Sequence, residues 1–182
     1  MYAYIYGKIT HIEPTYVVLE NQGVGYLIIT PNSYRYKQDQ EVLIHTHHYV
    51  REDIANLYGF MSLDEKKLFI KLISVSGIGP KSALSILASG ETDNIVYAIE
   101  AADVKYLTKF PGIGPKSAQQ IILDLKGKID KLELGDNASD EVRQALEALG
   151  YSNTEITKTI KKLDPNNPIE EKVKQALSLL MK

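Results

Sequence analysis

The chain has 182 residues, 44% of them apolar, a formal net charge of −2 and no cysteine. That length suits one ordinary domain or two to three small ones, and the apolar share is sufficient for real cores. The composition excludes disulfides and cysteine-ligated zinc, fits a reducing cytoplasm, and excludes a globally basic nucleic-acid binder.

The first sixty residues are typical of a small β-barrel. The N-terminus lacks the layout of a signal peptide, and no run is long and apolar enough to span a membrane. A hairpin signal stands at residues 21–23, and a polar connection with one helical turn is expected at 31–40. Strands are expected at residues 1–10, 16–20, 24–30, 41–50 and 54–60. Five short strands in about sixty residues favour a Greek-key barrel of the OB type.

The pattern becomes helical at residue 62. Ser62 and Glu65 form a predicted capping box that opens the first helix. The seven letters Gly-Ile-Gly-Pro-Lys-Ser-Ala then occur twice, at 77–83 and again 35 residues later (112 − 77) at 112–118. Each copy is followed by a predicted helix, over 80–87 and 115–126, with Gly127 as the C-cap of the second. We interpret this doubled turn as the functional centre, because internal repeats mark the organising unit of a chain.

The last fifty residues predict a linker and a small helical unit. Residues 131–140 mix charge with glycine and asparagine, as linkers do. Three apolar stripes follow: Val142, Ala145, Leu146 and Leu149; Ile156, Ile160 and Leu163; and Ile169, Val173, Ala176, Leu177 and Leu180. Gly150 closes the first helix, and Ser152 with Glu155 forms a second capping box. A unit of this size has a thin core and is expected to be marginally stable alone.

Charge is distributed unevenly along the chain. Residues 1–61 carry four Lys/Arg against six Asp/Glu, residues 62–130 nine against eight, and residues 131–182 eight against nine. Only the middle segment has a positive balance, and it contains the repeat. The local positive charge that DNA binding requires is therefore expected there.

Each copy of the turn has the residue types of a tight connection between two helices. The first glycine, Gly77 or Gly112, can adopt the positive φ that such a turn demands. The isoleucine that follows is expected to fill the gap between the helices. The second glycine, Gly79 or Gly114, removes a side chain where a ligand would approach the backbone.

The helix start after each turn predicts a phosphate site. Proline suits the first helical position, and the next amides are expected to be unpaired donors at the positive end of the helix dipole. Lys81 and Lys116 add a formal positive charge beside these amides. The predicted phosphate-binding residues are Gly77, Gly79, Lys81, Ser82 and Ala83 in the first copy, and Gly112, Gly114, Lys116, Ser117 and Ala118 in the second.

A simpler interpretation is that each copy only turns the chain between helices. Two identical copies favour the phosphate interpretation over this one. Neither copy has the spacing of a nucleotide P-loop, and neither follows a strand as a dinucleotide fingerprint does. Two phosphate sites on tandem units suit two backbone positions of a duplex, bound without regard to base sequence.

The turns resemble the helix-hairpin-helix motif of non-specific DNA-binding proteins, and the whole chain resembles the RuvA family of Holliday-junction-binding subunits. The blocks that carry the resemblance are Gly23-Val24-Gly25-Tyr26, Val50-Arg51-Glu52-Asp53, Leu57-Tyr58-Gly59-Phe60, the two turns, and Ala148-Leu149-Gly150-Tyr151. The resemblance implies an α+β multidomain protein. Its parts would be an N-terminal OB-type β-barrel with an acidic pin (1–61), a tandem helix-hairpin-helix domain (62–130), a linker (131–140) and a C-terminal three-helix, UBA-like, motor-binding domain (141–182).

The resemblance also implies a function. The family implies a non-catalytic homotetramer, or a pair of tetramers, that clasps a four-way junction in recombination, DNA repair and the SOS response. The RuvB ATPase would supply ATP hydrolysis for branch migration, and the RuvC resolvase would be a further partner. No cofactor and no metal are implied, and the location would be cytoplasmic.

The acidic turn has two interpretations. Glu52 and Asp53 are an ordinary polar hairpin tip, or, as the resemblance implies, an acidic pin that repels phosphates at the centre of the tetramer and helps to separate strands. The two carboxylates are poor metal ligands, because no third ligand stands nearby in the sequence. Arg51 beside them is a candidate for holding a phosphate at the rim.

The resemblance implies that the last domain docks onto RuvB. The candidate motor-binding residues are Leu146, Leu149, Tyr151 and Leu177. The alternative is that some of them form the core of the domain itself. In so small a domain one residue can serve both purposes.

Other side chains suggest further sites. Tyr2, Tyr4 and Tyr6 are a candidate stacking platform for single-stranded bases, or simply barrel wall. His45, His47 and His48 suggest a zinc site. His45 and His47 share a strand face, but no third ligand is evident there. No nucleophile and base stand at a recognisable spacing, and Asp124, beyond the second turn, is interpreted as a solvated helix charge.

Two alternative functions follow from these motifs. The chain also departs in places from the pattern of the family that it resembles. The alternatives are a helix-hairpin-helix DNA repair enzyme, either a glycosylase or a nuclease, and a single-strand-binding OB protein. In the second turn Pro115 stands where relatives often have a lysine, and Gln119 and Gln120 stand where a basic residue is common. The linker is also shorter than the family pattern, and the residues after the two turns differ.

Overall fold

A computed structural model describes residues 1–89, 91–129, 142, 145, 146, 148–151, 153–160, 163 and 167–180. The chain divides into two compact units, Met1–Leu132 and Glu133–Lys182. The predicted linker at 131–140 lies outside the described residues. Within the described parts, no helix is long and apolar enough to cross a membrane.

The first unit begins with a closed five-stranded barrel. The strands are β1 (Tyr4–Glu13), β2 (Tyr16–Asn21), β3 (Val24–Ile29), β4 (Glu41–Arg51) and β5 (Ile54–Phe60). They pair in the order β1-β2-β3-β5-β4, and β4 pairs with β1 to close the barrel. This Greek-key order is that of the OB type, so the predicted barrel is confirmed. The first strand starts later than predicted, and Tyr2 precedes it.

Local signals explain the loops of the barrel. Gln22 and Gly23 both have positive φ, at 50° and 83°, which suits a tight hairpin whose twist matches that of the strands. The polar connection contains one 3-10 turn, Ser33–Arg35, as predicted. Inside the barrel, alternate strand residues form a core that includes Ile9, Val17, Leu19, Ile28 and Ile44, each at 0% exposure.

Five helices follow the barrel in the described part of the first unit. They are α1 (Leu63–Ser74), α2 (Pro80–Ser89), α3 (Thr92–Glu100), α4 (Val104–Leu107) and α5 (Pro115–Leu125). The Glu65 amide donates to Ser62 Oγ at 3.1 Å, as the predicted capping box requires. The Glu65 carboxylate accepts from the amide of Met61, also at 3.1 Å. The capping box is therefore present, with its return bond one residue earlier than the motif predicts.

Helix α1 joins the barrel to the helices. The Phe69 ring lies 4.9 Å from that of Phe60 and 5.0 Å from that of Tyr58, measured between centroids. Phe60 and Phe69 are both fully buried. At the other side, Lys66 Nζ donates to the carbonyl of Ala3 at 3.0 Å. The shared core fixes the β4–β5 hairpin relative to the helix that leads into the first repeated turn.

The second unit is helical. Two of its helices have defined ends, α6 (Asn153–Ile160) and α7 (Ile169–Leu180). Helical residues also precede Gly150, which has a φ of 88°. Its core contains Val142, Leu146, Ile156 and Ala176, all at 0% exposure. Leu149 lies in the turn before Gly150 and is 59% exposed, so its predicted place on the buried stripe is wrong. Ser152, of the second capping box, lies outside the described residues.

Candidate nucleic-acid interface

The two repeated turns have the same backbone geometry. Gly77 and Gly112 have φ values of 80° and 81°, in the left-handed region that favours glycine. Ile78 and Ile113 are each 5% exposed, and their amides donate to carbonyls three residues back at 3.1 Å. The predictions that the first glycine turns the chain and that the isoleucine fills the gap are therefore confirmed.

The second glycine of each turn faces open space. A Cβ built on Gly79 or on Gly114 would meet no atom of the protein within 4 Å. The φ of Gly114 is −86°, which any residue can adopt. Neither packing nor backbone conformation therefore requires glycine at Gly114, and the free space lies beside the helix start, where a phosphate would approach.

The amides at the helix starts are only partly as predicted. The amide of Ala83 donates to the carbonyl of Gly79 at 3.0 Å, and that of Ala118 donates to the carbonyl of Gly114 at 2.9 Å. The prediction that these two amides are unpaired is therefore wrong, because each closes the first helical turn. The amides of the two residues before each alanine precede this first intrahelical bond, so they are the donors left for a ligand.

The lysines of the turns are exposed. Lys81 and Lys116 both lie on the surface, whereas Ser82 and Ser117 are half-buried. Among the described residues, no carboxylate lies within ion-pair distance of either lysine. Each ammonium group is therefore available to an external anion beside the helix start.

A hydrogen bond links the helix after the first turn to the start of the second turn. The hydroxyl of Ser85, on α2, donates to the carbonyl of Pro111 at 3.2 Å, immediately before Gly112. The equivalent residue of the second copy is Gln120, whose side chain instead donates to Asp124 at 3.0 Å. Asp124 is thus a half-buried partner within α5 rather than the solvated charge predicted from sequence. The unequal residues after the two turns therefore make different contacts, and Ser85 helps to hold the turns at a set spacing.

The far end of α5 is also held in place. Gly127 has a φ of 71°, and its amide donates to both carboxylate oxygens of Glu100, at 2.9 and 3.1 Å. Gly127 was predicted as a C-cap, and its conformation agrees. The contribution of Glu100 had no sequence signal, because it comes from the end of α3.

The acidic turn is the tip of a projecting hairpin. Pairing of β4 with β5 continues from His45 opposite Phe60 to Arg51 opposite Ile54, which leaves Glu52 and Asp53 as a two-residue loop. Both acids are exposed. In the part of the chain that the structure describes, no cation lies within ion-pair distance of either carboxylate.

Arg51 makes its contacts away from the acids. Its Nε donates to the hydroxyl of Tyr49 at 3.1 Å, and its guanidinium carbon lies 5.1 Å from the centre of the Tyr49 ring. This combination of a hydrogen bond and a cation–π contact holds the guanidinium against the strand. The positive charge of Arg51 therefore lies over the Tyr49 ring, and its role in holding a phosphate stays a prediction.

The histidines and tyrosines of the barrel contact neighbouring side chains or lie on the barrel wall. His47 packs edge-on against Phe69 at 5.8 Å, and burial, with Lys66 as a second cause, lowers its pKa and so favours the neutral ring. The described residues contain no group of three side chains able to hold a metal ion. Tyr4 and Tyr6 lie on the outer wall, 58% and 52% exposed, and Tyr6 donates to Glu41 at 2.9 Å.

Three family models match the chain in sequence order. The RuvA N-terminal domain matches residues 1–59, the SAM-like helix-hairpin-helix tandem matches 69–127, and the RuvA C-terminal domain matches 137–181. A Holliday junction branch migration complex subunit RuvA from Acholeplasma laidlawii (strain PG-8A) is 54% identical over 187 aligned residues, which cover all of both chains. The chain belongs to the RuvA family. A Staphylococcus aureus (strain MRSA252) protein of the same name is 52% identical over 199 aligned residues, again across both full lengths.

The RuvA-family C-terminal domain contains the residues predicted to bind a motor. Leu146 is fully buried in the core of its unit, so it presents no surface to a partner. Leu149 is 59% exposed, and Tyr151 and Leu177 are half-buried against the core. A partner approaching this unit could therefore contact the last three and not the first.

The glycines of the RuvA-family turns allow binding to be separated from folding. Changing Gly77 to Ala forces a side chain into positive φ, so we expect a loss of about 1–2 kcal/mol in the free energy of unfolding. Changing Gly79 to Ala meets no neighbour, so we expect a loss of DNA affinity with at most about 1 kcal/mol lost through poorer capping. Thermal unfolding and duplex binding measured on both variants check this, and equal stability losses would contradict it.

Proposed function

We propose that this chain is the DNA-binding subunit of a Holliday junction branch migration complex. It acts without catalytic chemistry of its own, as a non-catalytic component that grips a four-way junction during recombination and repair. Its full-length relatives are named as subunits of that complex. The proposal is carried by one observation: two turns of identical sequence and backbone geometry, and an acidic tip without an ion-pair partner among the described residues, belong to one compact unit, Met1–Leu132.

The turns supply affinity that does not depend on base sequence. Two helix starts, each with free amides and a lysine that has no carboxylate partner within the described residues, suit two phosphates of a duplex backbone. In the second turn Pro115 stands where relatives often have a lysine. The phosphate contact at this turn therefore depends more on backbone amides. Duplex arms are thus held by their backbones, and any sequence can pass through the complex.

The acidic tip supplies the preference for a junction. Glu52 and Asp53 repel phosphates that approach them, and the repulsion strengthens where water is partly excluded. We propose that a homotetramer, or two tetramers face to face, brings several tips to the point where the arms meet. Strands leaving one arm are then pushed apart before they enter the next, while Arg51 holds a phosphate at the rim.

The C-terminal unit supplies the partner contact. We propose that it binds the RuvB ATPase through Leu149, Tyr151 and Leu177, so that ATP hydrolysis by RuvB drives branch migration. Its own core is small, and these side chains can therefore both pack and bind. RuvC is proposed as a further partner on the same junction, and a cytoplasmic location is proposed from the cysteine-free composition.

Comparative binding tests the proposed function. A four-way junction, a linear duplex of the same sequence and an oligo-dT strand are titrated in gel-shift assays at several salt concentrations. We expect the junction to bind most tightly and its affinity to fall steeply with salt, because several phosphates are contacted. Equal affinity for junction and duplex would contradict the proposal, tighter binding to oligo-dT would favour a single-strand-binding OB protein, and cleaved products would favour an enzyme.

A further inference from the structure

An aromatic ladder runs from the core to the acidic tip. On α1, Phe69 packs against Tyr58 of β5 at 5.0 Å, and Tyr58 packs edge-on against Tyr49 of β4 at 6.1 Å. Arg51 then lies over the Tyr49 ring. Paired residues of adjacent strands share one face of the sheet, so Tyr49, Arg51 and Tyr58 all lie on the same face of the hairpin. The ladder connects the fully buried Phe69 to the residue immediately before the tip.

The last step of the ladder decides where a positive charge is placed. Arg51 is adjacent in sequence to Glu52, and a guanidinium group pairs readily with carboxylates. Its Nε instead donates to the Tyr49 hydroxyl at 3.1 Å. Neither acid of the tip has an ion-pair partner among the described residues. The tip therefore keeps both negative charges, although a cation stands next to it in the chain.

We propose that Tyr49 is a positioning residue for the acidic tip. By holding Arg51 on its ring, it keeps Glu52 and Asp53 free of a counter-charge and directs the guanidinium along the hairpin. This inference rests on the proposed function, in which the tip separates strands at the junction. It adds a residue whose role lies in electrostatics rather than in contact with DNA.

The proposal predicts that replacing Tyr49 raises junction affinity and lowers strand separation. Without Tyr49, Arg51 is free to pair with the carboxylates and partly neutralise them. The weakened repulsion then lets the junction bind more tightly while its strands are separated less. A residue that only stabilised the hairpin would lose both affinity and strand separation when replaced.

The experiment uses the full chain with three substitutions. Tyr49→Leu removes the ring and the hydroxyl, and Tyr49→Phe keeps the ring but removes the hydrogen-bond acceptor. Tyr34→Phe is the matched control, because Tyr34 is 72% exposed in the β3–β4 connection of the same barrel. A four-way junction with 2-aminopurine at the crossover reports affinity and, through its fluorescence, unstacking of the bases.

For Tyr49→Leu we expect about two- to fivefold tighter junction binding, the size of a surface ion pair, and a smaller rise in fluorescence than in the unmodified chain. For Tyr49→Phe we expect a change in the same direction and smaller, and for Tyr34→Phe no change. Thermal unfolding verifies that each variant is folded. If Tyr49→Leu unfolds, the Tyr49→Phe result decides, because the packing on Tyr58 remains. Weaker binding, or unchanged fluorescence in a folded variant, overturns the proposal.

A second background separates this inference from the proposed function. Combined with Glu52→Gln and Asp53→Asn, the Tyr49 substitutions should have no further effect on base unstacking, because no charges remain for Arg51 to neutralise. A Tyr49 effect that persists in this background overturns the inference. If the double amide variant itself leaves base unstacking unchanged, the strand-separating role of the tip fails, whatever the Tyr49 result.

Discussion

Changing Lys81 and Lys116 together to Ala is expected to weaken junction binding by about tenfold or more at 0.1 M salt. Both ammonium groups are exposed beside open helix starts and, among the described residues, neither has a carboxylate partner. The plot of log affinity against log salt should become shallower by roughly 2 for each bound subunit, since each lost phosphate contact removes about one unit. Titrations over a range of salt concentrations measure both quantities.

A matched pair of lysines distinguishes local contact from net charge. Lys37, in the barrel loop, and Lys174, on α7, are also exposed, and changing both to Ala removes the same total charge. We expect this control to leave the salt dependence nearly unchanged. If the two double variants lose affinity equally, binding depends on overall charge, and the phosphate sites at the turns are refuted.

Changing Glu52 to Gln and Asp53 to Asn is expected to preserve junction binding, or tighten it by up to about tenfold, while impairing strand separation. The amides keep the size of the side chains and remove both unpaired charges at the hairpin tip. A carboxylate about 4 Å from a phosphate costs roughly 1 kcal/mol in water-like surroundings, so removing it favours the bound state. Fluorescence of 2-aminopurine at the crossover, and branch migration in the presence of RuvB, measure the second effect.

The control for this variant lies on the other unit. Glu170 and Glu171 are exposed at the start of α7, and changing both to Gln removes the same number of charges from the second unit. That variant should bind junctions and unstack bases like the unmodified chain. Loss of junction binding on neutralising Glu52 and Asp53 would show that the tip attracts rather than repels, and would refute the pin.

Much of the fold follows from signals that act over a few residues. The pattern of short strands, the hairpin glycine and the capping box predicted the OB-type barrel and the first helix, and the structure confirms both. The doubled turn was predicted down to the positive φ of Gly77 and Gly112. Glycine adopts positive φ without steric cost and proline fixes φ, whatever the surrounding fold, so such turns can be predicted from the sequence alone.

The wrong predictions concern residues at the ends of helices, where the local sequence pattern does not show the last helical residue. Ala83 and Ala118 were expected to offer free amides, but each helix closes its first turn through them. Leu149 continues the apolar stripe in the sequence. In the structure it lies in the turn before Gly150 and is exposed. A stripe of apolar residues indicates a face and does not indicate where the face stops.

The sequence by itself determined the parts of this protein: a barrel, two repeated glycine turns, an acidic tip and a small helical unit, because each depends on residues within a turn or a strand of one another. Only the tertiary structure decided how the parts work together. Ser85 reaches Pro111, Glu100 reaches Gly127, and Tyr49 links Arg51 to the core through Tyr58 and Phe69. Apart from the contact of Arg51 with Tyr49, two residues away on β4, these contacts join residues on different elements, so they exist only when packing brings distant parts of the chain together.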